Sequence, residues 1–266
     1  MKALVFVLLL PLIAGTAIAQ RVSGLPAGTV VDLSHSFDSS TVYWPTAQPF
    51  KLEKDFEGTT EKGFYYSAYR YSSAEHGGTH IDAPVHFAKG RQSVDEIPLD
   101  QMIGPAILID VTRQAESNRD YQVTASDFRD WERRHGRIPA GSMILLRTGF
   151  GKFYPDRQQY MGTDKRGDDA VADLHFPGLH PNAARWLTQN RRVKAIGLDT
   201  PSIDYGQSTL FESHRILFER NIPAFENVAN LDKLPPKGFS IVALPMKIKK
   251  GSGGPLRMIA IVHGRR

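Results

Sequence analysis

Seven short runs of aliphatic and aromatic residues, set between turns rich in Gly, Pro and Asp, do most to limit what this chain can fold into. They lie at 28–33 (GTVVDL), 63–72 (GFYYSAYRYS), 105–111 (PAILIDV), 142–148 (SMILLRT), 193–199 (VKAIGLD), 240–248 (SIVALPMKI) and 256–262 (LRMIAIV). Runs of this length and composition predict strands. Helical signals are fewer. Residues 124–135 combine a capping-box pattern, Thr124 with Asp127, with Phe128 and Trp131 on one face; 181–190 open on Pro181. A third helix is expected from about 208 to 220, ended by Asn221 and Pro223. The mature chain shows neither an internal repeat nor a Pro-, Gly- or Ser-rich linker, so the reading is a single α/β domain dominated by sheet over residues 20–266.

The segment before that domain reads differently. MKALVFVLLLPLIAGTAIAQ has a basic start at Lys2, an apolar run, and Ala17-Ile18-Ala19 as a small-x-small cleavage site. Pro11 and Gly15 interrupt a run already short for a membrane span. Residues 1–19 are therefore expected to be a signal peptide, and the protein to be periplasmic or secreted. The chain has no cysteine, which excludes thiolate metal sites and thiol nucleophiles. A formal charge of +5 is too mild to argue for a nucleic-acid partner, and Lys247–Lys250 reads as a solvated strand end.

Chemistry concentrates in HGGTHIDAPVHF, residues 76–87. His76 and His80 have the four-residue spacing of helical zinc sites, but Gly77-Gly78 disfavours helix and Pro84 forbids it soon after. A loop running into an extended segment is expected. In an extended chain His80, Asp82 and His86 share one side, while Ile81, Ala83 and Val85 face the other. Pro84 lacks a donor, so the segment is expected at an edge or in a loop, open to a cleft. Two imidazoles and a carboxylate can hold a divalent ion and leave positions open for water. Nitrogen and oxygen donors suit zinc, manganese or iron(II).

The same stretch resembles the signature of the metal-dependent cyclase family, which includes arylformamidases and isatin hydrolases. DLSH at 32–35, YWP at 43–45, FPGL at 176–179, LDTPSID at 198–204, ENVANLD at 226–232 and GGPLRMIAIV at 253–262 resemble the family's other blocks in the same order. The resemblance implies a swivelling β/β/α fold, His76, His80 and Asp82 as metal ligands, and His86 as catalytic acid/base. It further implies His214 and Glu226 as a second pair of ligands, so that one or two Zn(2+) or Mn(2+) ions are bound with Asp82 shared. A homodimer or homotetramer is the implied assembly.

A metal lowers the pKa of bound water and polarises a carbonyl, and an imidazole can carry the proton to a departing nitrogen. Hydrolysis of a small, aromatic amide or lactam is the expected reaction. Two alternatives stay open: a secreted metal-binding protein without turnover, and a lactonase or cyclase acting on esters. Trp44 is a candidate for stacking on the substrate; Phe64, Tyr65 and Tyr66 offer further rings, with core or oligomer contact as their ordinary use. Asp199 and Asp204 read either as supports of the ligands or as turn caps, and His175 and His180 as loop and helix-start residues. No G-x-S-x-G is present, and GFGK at 149–152 lacks the rest of a phosphate loop.

Overall fold

A computed structural model describes residues 28–264 of the chain. The signal-peptide reading of residues 1–19 lies outside them. The strands are β1 (Gly28–Asp32), β2 (Lys51–Thr59), β3 (Tyr65–Ser72), β4 (His80–Asp82), β5 (Ile103–Asp110), β6 (Gln122–Val123), β7 (Ser142–Arg147), β8 (Gly178–Leu179), β9 (Val193–Leu198), β10 (Ala224–Glu226), β11 (Phe239–Pro245) and β12 (Gly253–His263). The helices are α1 (Leu99–Met102), α2 (Thr112–Ser117), α3 (Ala125–His135), α4 (Arg157–Met161), α5 (Pro181–Asn190) and α6 (Glu212–Phe218). Each of the seven runs picked out in the sequence contains a strand, the one at 240–248 leaving the sheet after Pro245.

The main sheet runs β1-β12-β11-β5-β7-β9-β10-β4, and β4 returns to pair with β12. Seven strands thus close into a barrel, with β1 added on the free edge of β12. The alternation of side chains follows the two-residue strand period. Ala106 and Leu108 of β5 and Met143 and Leu145 of β7 fill the barrel with Ile81, Phe225, Ile241 and Met258. Their neighbours Ile107, Ile109, Ile144 and Leu146 point outward, beneath Phe128 and Trp131 of α3 and Leu187 of α5. The capping box of α3 forms as expected: Thr124 N donates to Asp127 Oδ2 at 2.7 Å.

Two expectations about the histidine-rich stretch are corrected. Residues 80–82 are no edge: His80 pairs with Glu226 of β10 on one side and Pro255 of β12 on the other. Pro84 does not prevent this, because it falls outside the three paired residues and starts a 3-10 turn, Pro84–His86, where its missing N–H costs nothing. That turn also means that His86 is not carried by extended spacing. The chain curls back after Asp82 to bring it round. The third helix is shorter than expected, Glu212–Phe218, since Phe211 takes a left-handed conformation at its start, φ 48°.

Outside the barrel, β2 and β3 form a separate two-stranded hairpin. Phe64, Tyr65 and Tyr66 are exposed on and beside it, at 55%, 65% and 51%, and are neither core nor part of the cleft described below.

Candidate metal centre and active site

The centre is built on the barrel's closing seam. Since Ile81 is committed to the interior, its neighbours His80 and Asp82 must face outward, where the register sets His80 opposite Glu226 and Asp82 opposite Ala224. Glu226 is thereby aimed at His80 by strand pairing alone. The approach to β4 depends on two glycines. A Cβ on Gly77 would lie 2.1 Å from the Tyr43 ring, and Gly78 has φ 55° with its Cβ position 2.7 Å from Phe37. Both facts exclude a side chain there. His76 then hangs over the outward face of β4, and α6 supplies His214 from above.

All five expected ligands come together. Donor atoms of His76, His80 and Asp82 lie within 4.8 Å of one another, as do those of Asp82, His214 and Glu226. Asp82 belongs to both groups: Oδ1 is 2.7 Å from His76 Nδ1 and 3.0 Å from His80 Nε2, while Oδ2 is 3.2 Å from His214 Nε2. Glu226 Oε1 is 3.1 Å from His214 Nε2 and accepts from Ile203 N. His80, Asp82, His214 and Glu226 are buried, and His76 is partly open to the cleft.

These residues fit a divalent cation by a direct test. Among the described residues His80 Nε2 is buried and makes no well-aligned hydrogen bond, although Asp82 Oδ1 lies 3.0 Å and Glu226 Oε2 3.5 Å away. A buried polar atom is rarely left so unless an ion or water completes it. Each of the three histidines has its other ring nitrogen held from outside the cluster. His80 Nδ1 donates to Gly78 O at 3.0 Å, and His214 Nδ1 is 2.6 Å from Asp204 Oδ2. Asp204 is in turn held by the backbone N–H groups of Ser213 and His214. Such outer partners fix tautomer and ring orientation in metal-ligating histidines. Asp199 does the other job weighed for it: it is a buried turn cap accepting from Thr148 N, Thr148 Oγ1 and Gly149 N.

Electrostatics at the cluster follow from the crowding. Burial alone would raise the Asp82 carboxyl, but the surrounding imidazoles hold it well below the usual carboxylate range. Against the same burial, Asp204, Asp82 and Glu226 hold His214 well above an ordinary histidine. Burial and the Asp82 charge raise Glu226.

His86 stacks on His76, with ring centroids 3.8 Å apart and planes 19° apart, and lines the same cleft. Burial lowers its pKa to about 4, with Asp82 pulling the other way. It is a neutral base at neutral pH. The cleft, of about 260 Å³, is walled by Trp44, Phe87 and Phe211 above the ligands, with Ser202 and Asn227 at its side. Trp44 meets Phe211 and Phe176 edge-on. Phe87 lies beside His86 and Phe211 opens α6, but neither carries a sequence pattern that marks it as a wall. His175 pairs with Asp120 and His180 caps α5; both stand apart from the centre, as expected.

The comparisons agree with this geometry. The profile of the Cyclase family matches residues 31–205. An isatin hydrolase from Roseibium aggregatum is 30% identical over 91% of this chain and 97% of its own. A kynurenine formamidase from Salinibacter ruber is 29% identical over 86% and 96%. Among solved structures, isatin hydrolase A from Ralstonia solanacearum superposes with a TM-score of 0.79 at 35% identity, over 88% of this chain and 92% of that one. With barrel, cleft and histidine-rich signature in place, the chain belongs to the Cyclase family.

Proposed function

We propose that this protein is a metal-dependent hydrolase of small amides or lactams, of the isatin hydrolase and arylformamidase kind. His80, Asp82 and His76 hold one divalent ion, zinc or manganese, and His214 and Glu226 with Asp82 offer a place for a second. A bound ion supplies activated water and polarises the substrate carbonyl. The observation that carries the reading is the pairing of His80 Nε2, buried and without a well-aligned hydrogen bond among the described residues, with a further imidazole, His86, that stacks on His76 and lines the same cleft. A binding site needs the first but has no use for the second. His86 takes a proton from the attacking water and delivers it to the departing nitrogen. Trp44, Phe87 and Phe211 give the cleft flat apolar walls suited to an aromatic ring.

Metal content and hydrolysis of isatin and N-formylkynurenine are measured on one sample of residues 20–266, beside His86→Ala. Turnover by wild type, with His86→Ala retaining metal but slowed roughly 100- to 10,000-fold, is the expected result. Metal bound without turnover of amides or lactams overturns it: lactone hydrolysis then indicates an esterase, and no turnover at all a binding protein. Export belongs to the same proposal, and N-terminal sequencing of periplasmic or secreted protein should start at Gln20. So does a homo-oligomer, supported by the exposed aromatic hairpin β2–β3.

A further inference from the structure

Of the outer partners of the histidine ligands, the one at His76 is chemically unlike the rest. His80 and His214 give their Nδ1 protons to groups that can only accept, a backbone carbonyl and a carboxylate, and so present Nε2 to the cluster. His76 is turned the other way. Its Nδ1 faces Asp82 Oδ1 at 2.7 Å, and its Nε2 is 2.9 Å from Ser252 Oγ. A hydroxyl can accept or donate, and alone it would not choose a tautomer. Ser252 Oγ, however, is 2.6 Å from Glu75 Oε2, an oxygen that also accepts from Ser252 N at 3.1 Å.

We propose that Ser252 and Glu75 act as a positioning pair that commits His76 to offering Nδ1 as a metal ligand. The hydroxyl proton goes to Glu75, so Oγ turns a lone pair to His76, whose Nε2 must then carry the ring proton. The lone pair on Nδ1 is left for the ion. Packing around the pair is shaped to the same end: a Cβ on Gly253 would sit 2.6 Å from His76 Cε1, and one on Gly251 would sit 2.8 Å from Glu75 Oε1. The inference rests on the reading that the cluster holds a metal. It gives the GGP block of the sequence a part in the site that its residue types alone do not show.

The test is zinc affinity by chelator competition, on wild type, Ser252→Ala, Ser252→Thr, Glu75→Ala and the Glu75→Ala/Ser252→Ala double variant, together with the His76 Nε2–H resonance in the zinc-loaded protein. Ser252→Ala is expected to weaken zinc roughly 10- to 100-fold. Ser252→Thr, which keeps the hydroxyl, should restore most of that loss. Glu75→Ala should weaken zinc in the same direction, with the double variant no worse than Ser252→Ala, because the two act as one unit. The resonance should exchange faster in Glu75→Ala, which gives a readout should a Ser252 variant fail to fold. Wild type that binds no zinc overturns the metal reading itself. Zinc binding by wild type with Ser252→Ala equal to it, with Ser252→Thr as weak as Ser252→Ala, or with Glu75→Ala unchanged in both affinity and exchange, overturns the positioning pair alone.

Discussion

At the scale of single residues, protons and metal compete for the same atoms. His214 and His80 are both raised above an ordinary histidine: burial opposes this and the carboxylates around them overcome it. Metal uptake must therefore expel protons, so affinity should climb as pH rises from 5.5 to 8. Calorimetry in buffers of different ionisation enthalpy reads the protons directly, and a binding enthalpy independent of buffer would refute it. Asp82→Ala removes the carboxylate common to both groups and should leave no tightly bound metal, whereas His214→Ala should spare an ion at His76 and His80. Metal analysis of the two variants separates these cases. A different histidine contributes, with His86, to the loss of stability in acid. His35 is stacked on Tyr154 at 3.7 Å, its Nε2 is buried without a partner among the described residues, and burial lowers its pKa to about 4, with Asp32 opposing. The unfolded chain takes up that proton near pH 6.5 and the folded one only near 4. This stabilising difference is complete above pH 6.5 and lost as pH falls toward 4. His35→Phe should flatten the decline in melting temperature between those values, and a slope equal to wild type would show that other groups set it.

At the scale of elements, what sequence reveals depends on how far apart the partners are. The proposed ligands His76, His80 and Asp82 stand in one short stretch, and their clustering is legible there. His214 and Glu226 are sequence-distant and meet Asp82 only because α6 lies over the seam and β10 pairs with β4. Asp204, Ser252 and Phe211 owe their places to tertiary neighbours, so residue type could not single out their roles. Pro84 misled because a proline inside a motif weakens an inner-strand reading, while the paired part of that motif stops before it. Gly77 shows how tightly the element is fitted. Gly77→Ala would press on Tyr43, and it should cost about 1–3 kcal/mol in denaturant unfolding. By contrast, Thr124→Ala removes the cap of α3, far from the cleft, and should cost about 1 kcal/mol without changing zinc affinity. Equal losses of affinity in both variants would mean that the centre answers to global stability rather than to its own loop.

At the scale of the whole molecule, the β2–β3 hairpin stands away from the barrel with Leu52, Tyr65, Tyr66 and Tyr71 half or more exposed. Isolated two-stranded ribbons are marginal in water. A second copy covering it would account for those rings, and Leu52→Glu with Tyr66→Lys should then lower the mass measured by sedimentation equilibrium to that of one chain. A wild-type protein already at that mass would reject the assembly. The barrel itself has a further consequence, for the order in which the protein is made. Its closing strand, β4, is synthesised early, yet both of the strands that flank it, β10 and β12, come from the last quarter of the chain. Until the ribosome has released those residues, Asp82 has neither His214 nor Glu226 beside it, His76 lacks Ser252, and no strand pairing holds His80 and Asp82 on one face. The complete cluster can therefore assemble only when the chain is nearly finished, in whichever compartment the barrel first closes.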